Sequence, residues 1–349
     1  MPRGWRMPVK SGTQRVTSFD IAERAGVSQP TVSRALRGSS AVSAETRERI
    51  EKIARELNYS VDKHASSLRL QRANTIALLF FEDPTADDTL INPFFLSMLG
   101  SITRRSAQAG FDLLISFQQL SSDWHTDYED SRKADGIILL GYGDYADYRP
   151  RLRALNEQGT HFVRWGAPEA DDSGLTIGCD NRAGGRMATE HLLKQGRRRI
   201  AFIGRCDEGY PEFRARYRGY CDALAEAGIK FDRDLQVDAL TLESAGAAAV
   251  ERLLESGAAF DALVCASDLI ALGAVQALKD RGRDVPGDVA VTGFDNIPAA
   301  AQTSPPLTTV QQNARAAGEA LVDTLIARIE NQAVAPELLP VELILRESS

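Results

Sequence analysis

Residues 17–59, TSFDIAERAGVSQPTVSRALRGSSAVSAETRERIEKIARELNY, hold three apolar repeats at helical spacing, parted by two polar breaks. Thr17 is a candidate N-cap with Asp20 three residues on, and Ile21, Ala22 and Ala25 share one helical face. Gly26 can take a left-handed turn and Val27 can plug the core. Ser28 can cap a second short helix, QPTVSRAL, whose first turn tolerates Pro30. Ser43 opens a third helix, where Ile50, Ile53, Ala54 and Leu57 recur at i, i+3, i+4 and i+7 and close a three-helix core. Two short helices joined by a glycine turn read as a helix-turn-helix. The outer face of the second helix offers Gln29, Thr31, Ser33 and Arg34, types able to bond adenine or guanine edges, while neighbouring Arg and Lys can neutralise phosphates. A solvated helix surface is the plainer alternative for Arg34.

Charge along the chain agrees with that reading. The 349 residues carry 41 Lys and Arg against 48 Asp and Glu, a net −7 that by itself speaks against a nucleic-acid partner. Residues 1–72, however, hold 14 basic and 7 acidic residues, so a small basic module precedes a large acidic one. Four separated cysteines with no C-x-x-C fit neither a disulfide scaffold nor a zinc ribbon, and a reducing compartment is the simplest reading. Residues 1–16 read as a flexible polar extension without the apolar segment of a signal peptide. No apolar run approaches 18 residues, so a cytoplasmic protein without membrane contact is expected.

From Thr75 onward apolar runs alternate with helical patterns, as in parallel sheets with crossover helices. TIALLFF, FDLLISF, DGIILL and THFVRW read as strands of one lobe. RIAFIG, DALVCAS and VAVTGF belong to a second, and LTTVQQN with NARAAGEALVDTLIARIE forms a return. The expected fold class is therefore α/β: a small all-α helix-turn-helix headpiece and two doubly wound parallel-sheet lobes with a cleft at the carboxyl ends of their strands. Asp268 closes a strand before a helix, where it can accept ligand hydroxyls or act as a plain N-cap. Trp165 ends a strand and can stack on a pyranose or fill the core. Asp180 with Asn181, and Asp295 with Asn296, mark strand ends as ligands or caps.

Motifs for catalysis are missing. The sequence has no G-x-x-x-x-G-K-[ST], no G-x-S-x-G and no strand followed by G-x-G-x-x-G. His64, His125, His161 and His191 lack metal-ligand spacing. No enzyme, cofactor or metal is expected.

The stretch 17–59 resembles the headpiece of the LacI/GalR (lactose-repressor) family of bacterial regulators, and the likeness runs on through nearly the whole chain. The resemblance implies that Gln29 and Pro30 discriminate operators and that Arg34 contacts base or phosphate, with Thr17 and Ser28 beside them at the DNA. It implies a hinge in residues 61–73 that turns helical on DNA and drives Leu68 between bases of a bent minor groove. Val61 and Asp62 stand where the family usually has Pro-Asn, which leaves the start of that helix less restrained. Arg216 matches the family's effector-binding arginine, and Asn92, Phe94 and Phe95 fall where the family places effector contacts. The implied organisation is a headpiece over 17–60, the hinge, and an effector-binding and dimerisation domain over 74–349 of periplasmic-binding-protein type. Its first lobe takes about 74–177 and 297–322, its second about 178–296 and 323–349. The implied function is a homodimeric repressor on a palindromic double-stranded operator, released when a mono- or disaccharide enters the cleft. A purine corepressor, or a solute-binding protein that merely shares the two-lobed fold, are the alternatives.

Overall fold

A computed structural model describes residues 16–36, 39–57, 59, 72–81, 91–141, 144–168 and 175–349. Two compact units divide the chain, Met1–Arg72 and Ala73–Ser349. In the first, α1 (Ser18–Ala25), α2 (Gln29–Leu36) and α3 (Ala44–Glu56) enclose one core of Ile21, Ala22, Ala25, Val32, Ala35, Val42, Ile50 and Ala54. Ile53 and Leu57 pack at its edge. Gly26, at φ 65°, makes the left-handed turn between α1 and α2, a conformation in which a Cβ would be strained. Ile21, Val32 and Ile50 are fully buried, each contributing about 1.5–3 kcal/mol.

The second unit holds two six-stranded sheets. The first has strand order β11-β5-β4-β3-β1-β2, with β1 Thr75–Phe80, β2 Asp112–Phe117, β3 Gly136–Leu140, β4 Phe162–Trp165, β5 Leu175–Cys179 and β11 Glu337–Leu339, all parallel. The second has order β12-β10-β9-β8-β6-β7, with β6 Ile200–Ile203, β7 Gln236–Val237, β8 Ala262–Cys265, β9 Ala290–Asp295, β10 Thr308–Gln312 and β12 Val341–Ile344. Only β12 runs antiparallel there, against β10. Several central strands are almost wholly apolar, as in GIILL of β3 and TIALLF of β1, because helices cover both faces of a parallel sheet.

Helices α4 (Pro93–Gln108), α5 (Tyr145–Glu157) and α10 (Ala314–Ile329) belong to the first lobe. Helices α6 (Asn181–Lys194), α7 (Pro211–Glu226), α8 (Glu243–Glu255) and α9 (Asp268–Asp280) belong to the second. The expected lobe limits need correction. Residues 297–312 do not join the first lobe, since β10 pairs with β9 from Thr308↔Thr292 to Gln311↔Asp295. Residues 323–339 do not join the second, since α10 packs on α4 and β11 extends β5. The chain changes lobe at Asp180, Asn313 and Pro340, and Asn313 marks its crossover by capping α10 through Ala316 N at 3.0 Å. Asp180 N donates to Leu339 O at 3.0 Å, binding the first crossover to the third.

Candidate functional site

The headpiece presents α2 with Val32 and Ala35 turned inward and Pro30 and Arg34 exposed. Thr17 donates to the Asp20 carboxylate through its backbone N at 2.7 Å and its Oγ1 at 2.8 Å, which holds that carboxyl below its usual range. The Ser28 and Thr31 hydroxyls bond each other at 2.9 Å, closing the first turn of α2. Gln29 Nε2 donates to Ser18 Oγ at 3.1 Å, so α1 fixes the direction of this side chain. Ser33 is half-buried on the same helix. Phe19, at 71% exposed, was not among the residues expected to act; it stands beside Thr17, off the buried register of Ile21, Ala22 and Ala25. Leu68, Val61 and Asp62 lie outside the described residues.

Between the lobes, the predicted residues fall into three groups. The first is a buried polar chain at the crossovers. Arg216, 1% exposed on α7, donates from Nε to Asn181 Oδ1 at 2.8 Å and from Nη1 to Ala266 O. Its guanidinium lies 3.7 Å over the Phe294 ring and 3.7 Å from the Asp295 carboxylate. Gln312 Nε2 donates to Asp295 Oδ1 at 2.6 Å, and Cys179 Sγ donates to Gln312 Oε1 at 3.0 Å, so the chain runs from the end of β5 in one lobe to β9, β10 and α7 in the other. Asp295 adopts φ 112°, a backbone conformation that non-glycine residues rarely hold and that clusters at functional sites.

Burial raises the Asp295 carboxyl to about 6, with Arg216 and Gln312 opposing the rise. Burial also pushes Asp268 well above the carboxylate range, and the charge of Asp295 adds to it. Asp268 is no plain N-cap: Ser267 Oγ caps α9 by accepting from Ile270 N at 3.3 Å. Asp268 instead accepts from Ile297 N at 2.8 Å and Thr309 Oγ1 at 2.5 Å, fastening the segment after β9 to β10. Cys179, pushed up to about 12 by burial, stays a thiol and therefore a donor.

The second group surrounds the start of α4. Asn92 caps it through Phe94 N at 2.9 Å, and the buried Asn92 Nδ2 lacks a partner among the described residues. Phe94 packs 5.3 Å from Phe95 and 6.0 Å from Trp165, ring to ring. Phe94 also joins Asp295, Gln311, Gln312 and Asn313 around a cavity of about 160 Å³ between the lobes. Phe95 is core.

A third group was not predicted beyond Trp165. Tyr145, Tyr148, Arg164, Trp165, Pro211 and Glu212 surround a smaller cavity of about 20 Å³. Two hydrogen bonds join the lobes beside it: Ala167 N to Glu212 Oε1 at 2.9 Å and Tyr145 N to Gly209 O at 2.8 Å. Arg216 and Asp268 line neither cavity. The arrangement can hold a small polar molecule between the two lobes. Among the described residues, no group of three or more His, Cys, Asp or Glu could hold a metal, and no helix is long and apolar enough to cross a membrane.

Comparison with known proteins adds an independent line. Residues 19–62 match the family profile of bacterial regulatory proteins, lacI family, and residues 189–349 match that of the periplasmic binding protein-like domain. The chain is 32% identical over 341 residues to the HTH-type transcriptional regulator CelR of Thermobifida fusca, covering 96% of this chain and 98% of that one. A solved complex of the regulator CelR with cellobiose superposes with a TM-score of 0.71 at 31% identity, over 96% of this chain and 100% of the other. The lac repressor dimer bound to operator and the anti-inducer ONPF superposes with a TM-score of 0.81 at 26% identity, over 96% and 99%. A basic helix-turn-helix followed by a two-lobed receptor, matched end to end by such relatives, places this chain in the LacI family of bacterial transcriptional regulators.

Proposed function

We propose that the protein is a homodimeric repressor of a carbohydrate-utilisation operon, acting in the cytoplasm by binding rather than by catalysis. The observation that carries this reading is the pairing, on one chain, of a headpiece whose α2 offers Gln29, Pro30, Thr31 and Arg34 with a receptor whose cleft is lined by Trp165 and buried polar groups. Residues 17–60 are the operator-binding part, 61–73 the link with Leu68 as the minor-groove wedge, and 74–349 the receptor. Two-fold symmetry of the dimer is mirrored by a near-palindromic operator. In the receptor, Asn92, Phe94 and Trp165 face the effector. Phe95 supports Phe94 from the core, and Arg216, Asp268 and Asp295 set the hinge against which the lobes move.

An effector shifts operator affinity only if it binds two lobe arrangements with different strength, and a coupling of about 1–3 kcal/mol corresponds to about a 5- to 150-fold change. The test is fluorescence anisotropy of the full-length protein on a palindromic duplex obtained by selection, at fixed salt, titrated with mono- and disaccharides and with purines. Release by a saccharide is the expected result. Tightening by a purine would replace induction with corepression, and lack of any sequence-specific duplex would refute the operator reading.

A further inference from the structure

We propose that Arg164 and Glu212 form a charge-balanced clamp beside Trp165 that selects an uncharged, hydroxyl-rich ring and rejects charged sugars; this rests on the saccharide reading of the cleft. The two groups come from different lobes. Arg164 is the third residue of β4, buried, with its guanidinium 5.1 Å over the Tyr145 ring and Nη2 donating to Ala167 O at 2.9 Å. Glu212 is the second residue of α7, also buried, and its Oε1 accepts from Ala167 N. Gly166 lies between them. A Cβ there would collide with Arg164 Nη1 and stand 2.8 Å from Glu212 Oε1, so a cation and an anion face one backbone position that only glycine leaves open.

Opposite charges out of water are tolerated together and costly apart. The 20 Å³ cavity beside them holds about one water, so a ring enters only as the lobes part at Ala167–Glu212 and Tyr145–Gly209. The entering molecule must then satisfy both ions. A neutral polyol can do so, since each hydroxyl accepts from the guanidinium and donates to the carboxylate while the C–H face of the ring lies on the indole. An anionic sugar would pair with Arg164 and press a second negative charge on Glu212. A cationic one would press a second positive charge on Arg164. Arg216, four residues and about 6 Å along the same helix, has its cation matched by Asp295 and supplies no compensating charge.

Glu212→Gln removes the charge and keeps an oxygen for Ala167 N, which preserves the fold. The full-length protein and this variant are titrated on the selected operator with cellobiose, maltose, lactose and trehalose, and with the 6-phosphate of each. Wild type is expected to respond to a neutral disaccharide at least 10-fold more tightly than to its phosphate. In Glu212→Gln that ratio should fall at least 10-fold or reverse, because the carboxylate that repels an anionic sugar is gone. Arg164→Met/Glu212→Gln, neutral again, should move the ratio back toward wild type. Operator affinity without sugar and the thermal midpoint report that each variant is folded. An unchanged ratio in Glu212→Gln, with wild type still responding to a neutral sugar, would overturn the clamp and leave saccharide sensing intact. Failure of every saccharide, charged or neutral, to move wild type off its operator would overturn the saccharide reading and the clamp with it.

Discussion

Replacing Arg216 by methionine tests what holds the crossovers together. Methionine keeps most of the packing over Phe294 but deletes the bonds to Asn181 and Ala266 and the pairing with Asp295. Both partners are buried, so water cannot stand in, and breaking such a pair from one side costs about 3–5 kcal/mol. At about 2–4 °C per kcal/mol for a chain of this size, the melting temperature should fall by about 10 °C at pH 8. The size of the loss depends on protonation. With a folded pKa of about 6 against an ordinary 3.8, Asp295 contributes stability that is full below 3.8 and is lost as pH rises through about 6, a change of about 3 kcal/mol. At pH 5 its carboxyl is mostly neutral in wild type and variant alike, so Arg216→Met should lose the bonds to Asn181 and Ala266 but no ion pair. Thermal unfolding by circular dichroism at pH 5 and pH 8 reads both numbers. Asp295→Asn alone should gain on wild type as pH climbs from 4 to 7, and Arg216→Met/Asp295→Asn should recover several degrees over the single Arg216 variant at pH 8. Equal losses at the two pH values, or a double variant no better than Arg216→Met, would refute the pairing as the source of stability.

Four further outcomes follow from the geometry. Arg34→Ala should weaken operator binding by about 1–3 kcal/mol in the anisotropy assay while leaving the headpiece melt unchanged, whereas Val32→Ala, in the sealed headpiece core, should lower that melt as well. Leu68→Ala should loosen operator binding without altering the effector titration, and an unchanged operator affinity would eliminate the wedge. Gly219→Ala should destabilise the second lobe by about 1–3 kcal/mol, because its Cβ would strike Arg182 O and Arg186 N where α6 crosses α7; a neutral result in urea would show that the helices can part freely. Operator affinity should drop about 1,000-fold or more between 50 and 200 mM salt if about 6–10 phosphates are contacted, and a flat salt response would argue against the basic face.

The headpiece was legible because its signals are local: the spacing of Ile21, Ala22, Ala25, Ile50 and Ala54 reports burial directly, and Gly26 reports its own turn. The lobes were legible as alternating strands and helices, but the return path was not. TTVQQ of β10 has a strand pattern that either sheet would accept, and its partner β9 is chosen by long-range pairing that periodicity does not encode. Much the same limit governs the site. Trp165 and Asp268 could be picked out as strand ends, yet that Asp268 serves Ile297 and Thr309 depends on two segments distant in sequence. Arg164 and Glu212 resemble surface charges in the sequence. Only the approach of β4 to the start of α7 buries them, and Gly166, an unremarked glycine after a strand, was the sole local trace.

These placements separate two tasks that a list of cleft residues would merge. Arg216 and Asp295 bond each other and the crossover neighbours Asn181 and Gln312, while Asp268 ties Ile297 to Thr309 within the second lobe, so on this reading their chemistry sets how the lobes are joined. Arg164, Trp165 and Glu212 sit beside the Ala167–Glu212 and Tyr145–Gly209 hydrogen bonds that join the lobes, so on the proposed reading their chemistry sets what can part them. A switch needs both properties: an arrangement stiff enough to have discrete states, and a contact weak enough for a ligand to exchange. The Cys179–Gln312–Asp295–Arg216 chain supplies the first, because rotation of one lobe must break or remake a buried bond instead of stretching it. Substitutions in that chain should therefore change stability and the coupling between effector and operator together, while substitutions at Arg164 and Glu212 should change which molecule is sensed and leave the intrinsic operator affinity in place.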